Sequence, residues 1–396
     1  MLRTRDVFLL SVLNASAASP VAAAARFDII HDFTGGKDGG GPGYTLASDG
    51  AGHFFGAANS GGTGAGVVFE LTKRKSVWRV KPIYDFSDQD GQPGWGVTLS
   101  GGAMYTVAHY ASVQGGPCGS ALQLASKSGV AKVKDTATLM HTYVKSEDGC
   151  PTGNLTVDPS GNVFGVTQDG GANGWGSIVE FVPSKTGWTE QVLYSFTGGS
   201  DGGAPYSELV RDSAGNFYGT ASACASDCVG TAFELSPSES GWTYHVLHSF
   251  TGGNDSGQPV AAMVFDAGGN LYGATSGWGS NSGGTVFELS PSGGAWTFST
   301  LARMSGSDGP VAALTLDATG HIYGTNFMDG TGGYGSVFSL SKTAKGWKYR
   351  TLHDFAGGAD GGYPGGGVTL DAKGNLYGTA VIGGANNHGV IYRIKP

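Results

Sequence analysis

Four residues stand where a repetitive sequence departs from its own pattern, and together they could support acid–base chemistry. His109-Tyr110 replaces a pair of short side chains, and Lys145 replaces a glycine of other copies. Arg303, in what the sequence counts as the sixth repeat, replaces Asp, Ser or Thr. A base, an acid and a cation that neutralises a carboxylate are what a polysaccharide lyase needs. The alternative is that degenerate copies have drifted without acquiring a function.

A second group of candidates consists of aromatic residues in short polar loops. Each lies among Gly, Ser, Asn or Pro, with no apolar periodicity around it. A flat ring in such a loop can stack on the C–H face of a sugar, while neighbouring Asn, Asp and Ser bond its hydroxyls. The alternative is that the rings pack over the ends of strands and close the core. The residues are Tyr44, Trp95, Tyr206 and Tyr363 in one class of loop, and Trp175, Trp278 and Tyr334 in another.

The elements that must position these residues are repeats of about 50 residues. An aromatic residue followed by glycine, or by threonine in the second copy, recurs seven times, and this period belongs to propellers rather than to helical arrays. Asp-x-x-Gly-Asn segments supply the turns between short apolar runs and predict four strands per copy. The aromatic positions are Phe55, Tyr105, Phe164, Tyr218, Tyr272, Tyr323 and Tyr377.

The two ends of the chain predict how the ring closes. The last copy has only three strands, and residues 27–33 match the fourth strand of the preceding copy, residues 349–355. Without that strand, two sheet edges would stay open to pairing with other chains. The sequence therefore predicts an all-β, seven-bladed propeller with four antiparallel strands per blade, one domain over residues 26–396, and an N-terminal strand that completes the last blade.

Composition and the N-terminal segment restrict the surroundings of the protein. The chain has 72 Gly, 14% charged residues and a net charge of −8, with no basic stripe, which argues against nucleic-acid binding. Residues 1–25 carry Arg3 and Arg5, an apolar run and an Ala-rich end, the order of a signal peptide. We expect a secreted or periplasmic monomer without a membrane span.

The four cysteines fit an oxidising compartment. The economical pairing is Cys118–Cys150 with Cys224–Cys228, because each pair then stays within one repeat; Cys118 and Cys150 are expected in neighbouring loops of the second repeat. A zinc site is the alternative, although Cys-x3-Cys has no histidine close by. No cofactor motif appears, and neither a cofactor nor a metal is predicted.

Two repeated polar positions have a structural and a ligand-binding interpretation. A ring of carboxylates could hold a cation. Alternatively, each Asp could bond its own turn, and the sevenfold repetition favours this second interpretation. Histidines that share one repeated position with Tyr84 and Tyr194 are interpreted as structural, not as ligands. These residues are Asp38, Asp90, Asp148, Asp201, Asp255, Asp308 and Asp360 for the ring, and His31, His141, His248 and His353 for the shared position.

Three segments carry a family resemblance: residues 284–289, 193–202 and 374–379 resemble the bacterial GloVer tandem repeats. The resemblance implies an exported bacterial β-propeller, and it implies little about activity because no catalytic motif comes with it. We predict a protein that binds an extracellular polysaccharide or a similar ligand on its loop-rich upper face. A polysaccharide lyase, or a scaffold that binds a surface protein, are the alternatives.

Overall fold

The computed structural model describes residues 25–87, 90–109, 116–124, 137–224, 229–277, 283–304 and 309–396. Within these ranges every regular element is a strand, and seven small antiparallel sheets form the blades of a β-propeller. The predicted fold class is confirmed. The same ranges contain no helix that is long and apolar enough to cross a membrane.

The first strand of the chain, β1 (Arg26–Asp32), belongs to the last blade, and the other strands follow in order around the ring. Blade one comprises β2 (Ala47–Ser48), β3 (Phe54–Ala58), β4 (Val67–Arg74) and β5 (Val77–Asp85). Blade two comprises β6 (Gln92–Ser100), β7 (Ala103–His109), β8 (Pro117–Leu124) and β9 (Ala137–Val144). Blade three comprises β10 (Pro151–Val157), β11 (Val163–Thr167), β12 (Ser177–Ser184) and β13 (Gly187–Ser195).

The fourth blade has a split first strand, since β14 and β15 both pair with β16. Blade four comprises β14 (Gly203–Pro205), β15 (Val210–Arg211), β16 (Phe217–Ala223), β17 (Thr231–Ser238) and β18 (Gly241–Ser249), and blade five comprises β19 (Val264–Phe265), β20 (Leu271–Thr275), β21 (Thr285–Ser292) and β22 (Ala295–Arg303). Blade six comprises β23 (Thr315–Leu316), β24 (Ile322–Asn326), β25 (Ser336–Thr343) and β26 (Gly346–Asp354). Blade seven comprises β27 (Thr369–Leu370), β28 (Leu376–Ala380) and β29 (Val390–Lys395), and β1 completes it.

The ring closes between β1 and β29, as the sequence predicts. The two strands pair antiparallel from Arg26 opposite Lys395 to Asp32 opposite Val390. Arg393 donates a hydrogen bond to Asp28 at 2.6 Å. The N-terminal strand therefore occupies the position that the fourth strand holds in every other blade.

The aromatic–glycine signature of the repeat has a direct packing reason. In the fifth blade, the hydroxyl of Tyr272 donates to Asp266, whose other carboxylate oxygen accepts the backbone N–H groups of the hairpin turn. A side chain at Gly273 would overlap the ring of Phe287, which is fully buried on the next strand. The tyrosine thus fixes the turn, and the glycine makes room for the core.

Stacked rings join three pairs of neighbouring blades near their outer edges. We call the residue at the shared His/Tyr position, near the end of a blade's fourth strand, the slot residue. In these three pairs the slot residue stacks on a ring of the following blade, and that ring lies four residues before the corresponding position of its own strand. The stacked pairs and their centroid distances are His353 with Phe27 at 3.7 Å, His248 with Phe298 at 3.9 Å, and Tyr194 with Tyr244 at 4.2 Å.

One predicted disulfide is confirmed, between Cys118 and Cys150, with the Cα atoms 5.5 Å apart. Cys118 lies in β8 and not in a loop, and Cys150 lies in the connector that leads to β10. The bond therefore ties the third strand of the second blade to the connector that leads into the third blade. Cys228 lies outside the described residues, so its pairing with Cys224 stays a prediction.

Candidate functional site

The upper face is the end of the propeller where the connectors between blades meet the loops between second and third strands. Backbone bridges join the two classes of loop, for example Gly40 to Ser60 and Gly362 to Ile382. All the loop aromatics singled out above that the structure describes belong to this face, whereas Trp278 lies outside the described residues.

The repeated aspartates of the upper face are used within their own turns. Asp255, for example, accepts hydrogen bonds from the backbone N–H and the hydroxyl of Thr251 and lies 3.1 Å from His248 Nε2. Burial alone would raise the pKa of Asp255, but these hydrogen bonds outweigh it and hold the pKa below its ordinary value. The same capping contact is made by Asp38, Asp90, Asp148, Asp201 and Asp360, while Asp308 lies outside the described residues.

Two of the loop aromatics, Trp175 and Tyr334, lie flat against connector backbone. A side chain at Gly198 or Gly203 would overlap the Trp175 ring, and one at Gly357 would overlap the ring of Tyr334. Both rings are half-buried. Tyr363 is half-buried as well, with its ring 5.6 Å from that of Tyr334. This arrangement corresponds to the packing alternative.

The connectors of all seven blades converge on the mouth of the central channel, which encloses a cavity of about 60 Å³. Its two sides differ in chemistry. Blades five to seven contribute small apolar groups, among them Val260, Ala262, Val311 and Ala313, whereas blades one to four contribute aromatic and polar ones. The channel mouth therefore departs from sevenfold symmetry in a way that the packed loops do not.

An aromatic wall forms the second side of the mouth, with Trp95 at its centre. The ring of Tyr206 meets Trp95 edge-on at 5.5 Å, and the ring of Tyr44 lies 6.0 Å away on a tilted plane. Tyr206 is 37% exposed, so its ring is accessible from solvent. Burial raises the pKa of Tyr44 to about 12, so its hydroxyl stays protonated well into the alkaline range.

The floor of the mouth is polar, and its central group is Glu208. In each blade one residue precedes a buried apolar residue that lies in or next to the first strand, and among these seven residues only Glu208 is acidic. Enclosure by the channel wall raises the pKa of Glu208, and a hydrogen bond with Asn154 only partly offsets that rise. The corresponding residues of the other blades are Thr45, Gly96, Asn154, Ala262, Ala313 and Gly367.

Three buried polar atoms in this region have no hydrogen-bond partner among the described residues: Asn154 Oδ1, Trp95 Nε1 and, behind Trp95, His109 Nε2. Below the floor the channel widens to about 420 Å³, and Thr45, Asn154 and Glu208 line both stretches. These three residues form a polar neck between the mouth and the lower channel. We call Tyr44, Trp95, Asn154, Tyr206 and Glu208 the channel site.

The residues of the lyase hypothesis do not share one blade: His109 and Lys145 belong to the second blade and its outgoing connector, whereas Arg303 lies in the fifth. His109 packs behind Trp95 at 6.4 Å and bonds the Pro151 carbonyl, and burial lowers its pKa. Lys145 pairs with Asp169 at 3.4 Å. Arg303 is exposed at the end of β22, which places it in the fifth blade and not in the sixth repeat. Tyr110 lies outside the described residues.

Sequence reasoning identified Trp95, Tyr206 and Tyr44 but missed Glu208 and Asn154. A signal was available, because aligning the seven copies on the buried apolar residue of the first strand shows one acid among small residues. However, neither Glu208 nor Asn154 belongs to a recognisable motif, and their pairing across two blades is visible only in the folded propeller.

The sequence profile of the Gloeobacter/Verrucomicrobia repeat matches residues 100–309 and 209–396. The chain belongs to this repeat family. No curated protein matches it. A solved structure described as a "putative 6-phosphogluconolactonase" from Bacteroides uniformis is similar to this repeat protein, with a TM-score of 0.51 and 12% identity over 78% of this chain and 83% of that chain.

A second similar structure is XC5397 from Xanthomonas campestris, described as a gluconolactonase, with a TM-score of 0.42 and 12% identity over 74% of this chain and 81% of that one. At 12% identity the likeness to the first structure concerns the propeller fold alone, and the second, with a TM-score below 0.5, carries no argument. The repeat family and the fold are therefore established, and the function must be argued from the channel site.

Proposed function

We propose that this repeat protein is an exported saccharide-binding protein that holds a neutral sugar unit of an extracellular polysaccharide in the channel site. The observation that carries the proposal is the coincidence of an accessible aromatic wall with partnerless buried polar atoms. This coincidence occurs at the channel mouth, where the small apolar side chains of blades five to seven face the aromatic and polar ones of blades one to four.

The aromatic wall suits the apolar face of a sugar ring. Tyr206 and Trp95 present rings at right angles to each other, 5.5 Å apart, so one can stack on the ligand while the other supports it from the side. The opposite side of the mouth, with Val260 and Ala313, adds small apolar groups that leave room for a flat ligand.

The polar floor suits hydroxyl groups. A sugar hydroxyl is both donor and acceptor, so it can donate to Asn154 Oδ1 and accept from Trp95 Nε1–H once the side chains that cover these two buried atoms move aside. Glu208, whose pKa is raised, can accept a hydrogen bond when ionised and donate one when protonated. Such a site gains its specificity from a few placed polar groups within a mostly apolar wall.

The charge of the site favours a neutral sugar over a uronate. No Lys or Arg is among the described residues that line the mouth or the lower channel. The carboxyl group of Glu208 would repel a second carboxylate when it is ionised. For the same reason lyase chemistry on uronates, which requires a cation at the substrate carboxylate, is not proposed at this site.

The export half of the proposal rests on the signal-like residues 1–25 and on the Cys118–Cys150 disulfide, which forms in oxidising compartments. The placement of residues 1–24 lies outside the described part of the chain. Localisation to the periplasm or the medium is tested by fractionating cells that express the full sequence and by N-terminal sequencing of the product.

Binding is tested with the mature protein, residues 26–396, by calorimetry and tryptophan fluorescence with neutral and uronate oligosaccharides. We expect Tyr206→Ala to weaken binding of a neutral oligosaccharide by about 1–2 kcal/mol, roughly tenfold. Trp95→Phe keeps the ring and removes the N–H group, so it separates stacking from hydrogen bonding. Tyr363→Ala is the matched control, a connector tyrosine that does not line the cavity.

The proposal is wrong if no neutral saccharide gives a heat or fluorescence signal. It is also wrong if Tyr363→Ala weakens binding as much as Tyr206→Ala does. Tighter binding of uronates than of neutral sugars would contradict the charge argument and return attention to the lyase hypothesis.

A further inference from the structure

Three side chains of metal-binding type meet at the outer boundary between the second and third blades. His141 lies on β9, Asp148 in the following connector, and Glu190 on β13. His141 Nε2 is 3.1 Å from Asp148 Oδ2 and 3.4 Å from Glu190 Oε2. The three potential ligand atoms lie within 4.8 Å of one another. The side chains are 22%, 26% and 17% exposed, so the cluster is shielded but still accessible from solvent.

Glu190 occupies a position that carries a ring in several other blades. It lies four residues before the slot residue Tyr194, as Phe298 and Tyr244 lie four residues before theirs. Phe298 stacks on His248 of the preceding blade, whereas Glu190 approaches His141 with a carboxylate. At this boundary a carboxylate therefore replaces the ring that would otherwise stack on the histidine.

The replacement leaves a buried charge that the described residues only partly compensate. Glu190 Oε1 is inaccessible to water and has no hydrogen-bond partner. A partnerless oxygen of a buried carboxylate is costly unless a cation shares it.

The distances match those of two ligands on one small cation. Ligands held at 2.0–2.2 Å from a tetrahedral zinc ion are separated by about 3.4 Å. We propose that His141, Asp148 and Glu190 bind one divalent transition-metal ion such as Zn²⁺, with the remaining coordination position open to solvent. One imidazole and two carboxylates suit Zn²⁺ better than Ca²⁺, which takes six to eight oxygen ligands. This assignment departs from the interpretation of His141 as purely structural.

The ion would bridge two blades at a boundary that the disulfide also reinforces. Asp148 lies two residues before Cys150, whose bond to Cys118 ties the same connector to β8. The ion holds that connector, through Asp148, to β9 of the second blade and to β13 of the third. Its expected role is structural: it replaces the ring stack that joins other blades. Binding to the folded state alone makes thermal stability depend on metal concentration.

The test uses the mature protein after treatment with a chelator and dialysis. Titration calorimetry with Zn²⁺ is expected to give one ion per chain, with a melting temperature that rises with Zn²⁺ concentration. Co²⁺ should bind in competition and give visible absorption bands of low coordination number. Glu190→Tyr restores the ring pair seen at the Tyr194–Tyr244 contact, so it should fold and bind Zn²⁺ more than about tenfold more weakly.

His248→Phe is the matched control, because His248 forms the same pair with an aspartate, Asp255, but faces a phenylalanine. It should leave the stoichiometry at one ion. The assignment is overturned if Zn²⁺ neither binds nor shifts melting, which would indicate that hydrogen bonds alone hold the three side chains together. It is equally overturned if Glu190→Tyr binds Zn²⁺ as tightly as the parent protein.

Discussion

Removal of β1 is expected to open the propeller ring. Phe27 and Ile29 pack against the core of the seventh blade, and Ile30 packs against that of the first. Each is half-buried, so each contributes about 1 kcal/mol. Loss of Asp28 also leaves Arg393, only 14% exposed, without its carboxylate, at a cost of about 2 kcal/mol. The sum of about 5 kcal/mol is comparable to the whole free energy of unfolding of a marginally stable domain.

The deletion of residues 26–32 also exposes the edge of β29, whose backbone groups can then pair with another chain. We expect loss of the monomer in size-exclusion chromatography with light scattering, together with a much lower melting temperature. The matched control is a permuted chain in which residues 26–33 follow Pro396 through a Gly-Gly turn like Gly293-Gly294. It contains the same strands in the order used by the other six blades, and it should remain monomeric.

Two results would refute this reasoning. A deletion variant that stays monomeric with an unchanged melting temperature would show that β1 is dispensable for closure. A permuted chain that aggregates as the deletion does would show that the N-terminal position of the strand, and not its pairing, is what the ring requires.

Three further predictions concern stability. Replacing both Cys118 and Cys150 by serine removes a bond across a separation of 32 residues and should lower the free energy of unfolding by about 3–4 kcal/mol in chemical denaturation. Trp175→Ala should lower it by about 2–3 kcal/mol and leave saccharide binding unchanged, because the ring fills the space above Gly198; weaker binding with unchanged melting would identify Trp175 as a ligand contact. Because burial raises the pKa of Glu208, the folded state loses stability as pH rises through that pKa. Glu208→Gln should therefore melt higher than the parent at pH 7, with the difference vanishing near pH 4; a variant that melts lower at pH 7 contradicts this sign.

The sequence by itself determined the fold, because the fold depends on local chemistry repeated seven times. The contact of Tyr272 with Asp266 and the space that Gly273 leaves for Phe287 each join residues within one blade. Any single copy is ambiguous, but a pattern that recurs at a fixed period is not. The match between residues 27–33 and 349–355 likewise predicted the closure of the ring. To predict closure, one needs only to recognise which segment supplies the missing fourth strand of the last blade.

Only the tertiary structure decided which side chains form a site. Trp95 and Trp175 are both predicted in short polar loops, yet Trp95 lies on β6 and lines the channel mouth, whereas Trp175 lies in the loop between β11 and β12 and covers connector glycines. The physical reason is position in the blade: Trp95 lies on the first strand of its blade, whereas Trp175 lies in a loop between the second and third strands that packs on the following connector. The contacts Asn154–Glu208 and His141–Glu190 likewise join neighbouring blades. Such pairs depend on how the blades are placed around the ring, which no local pattern of residues encodes.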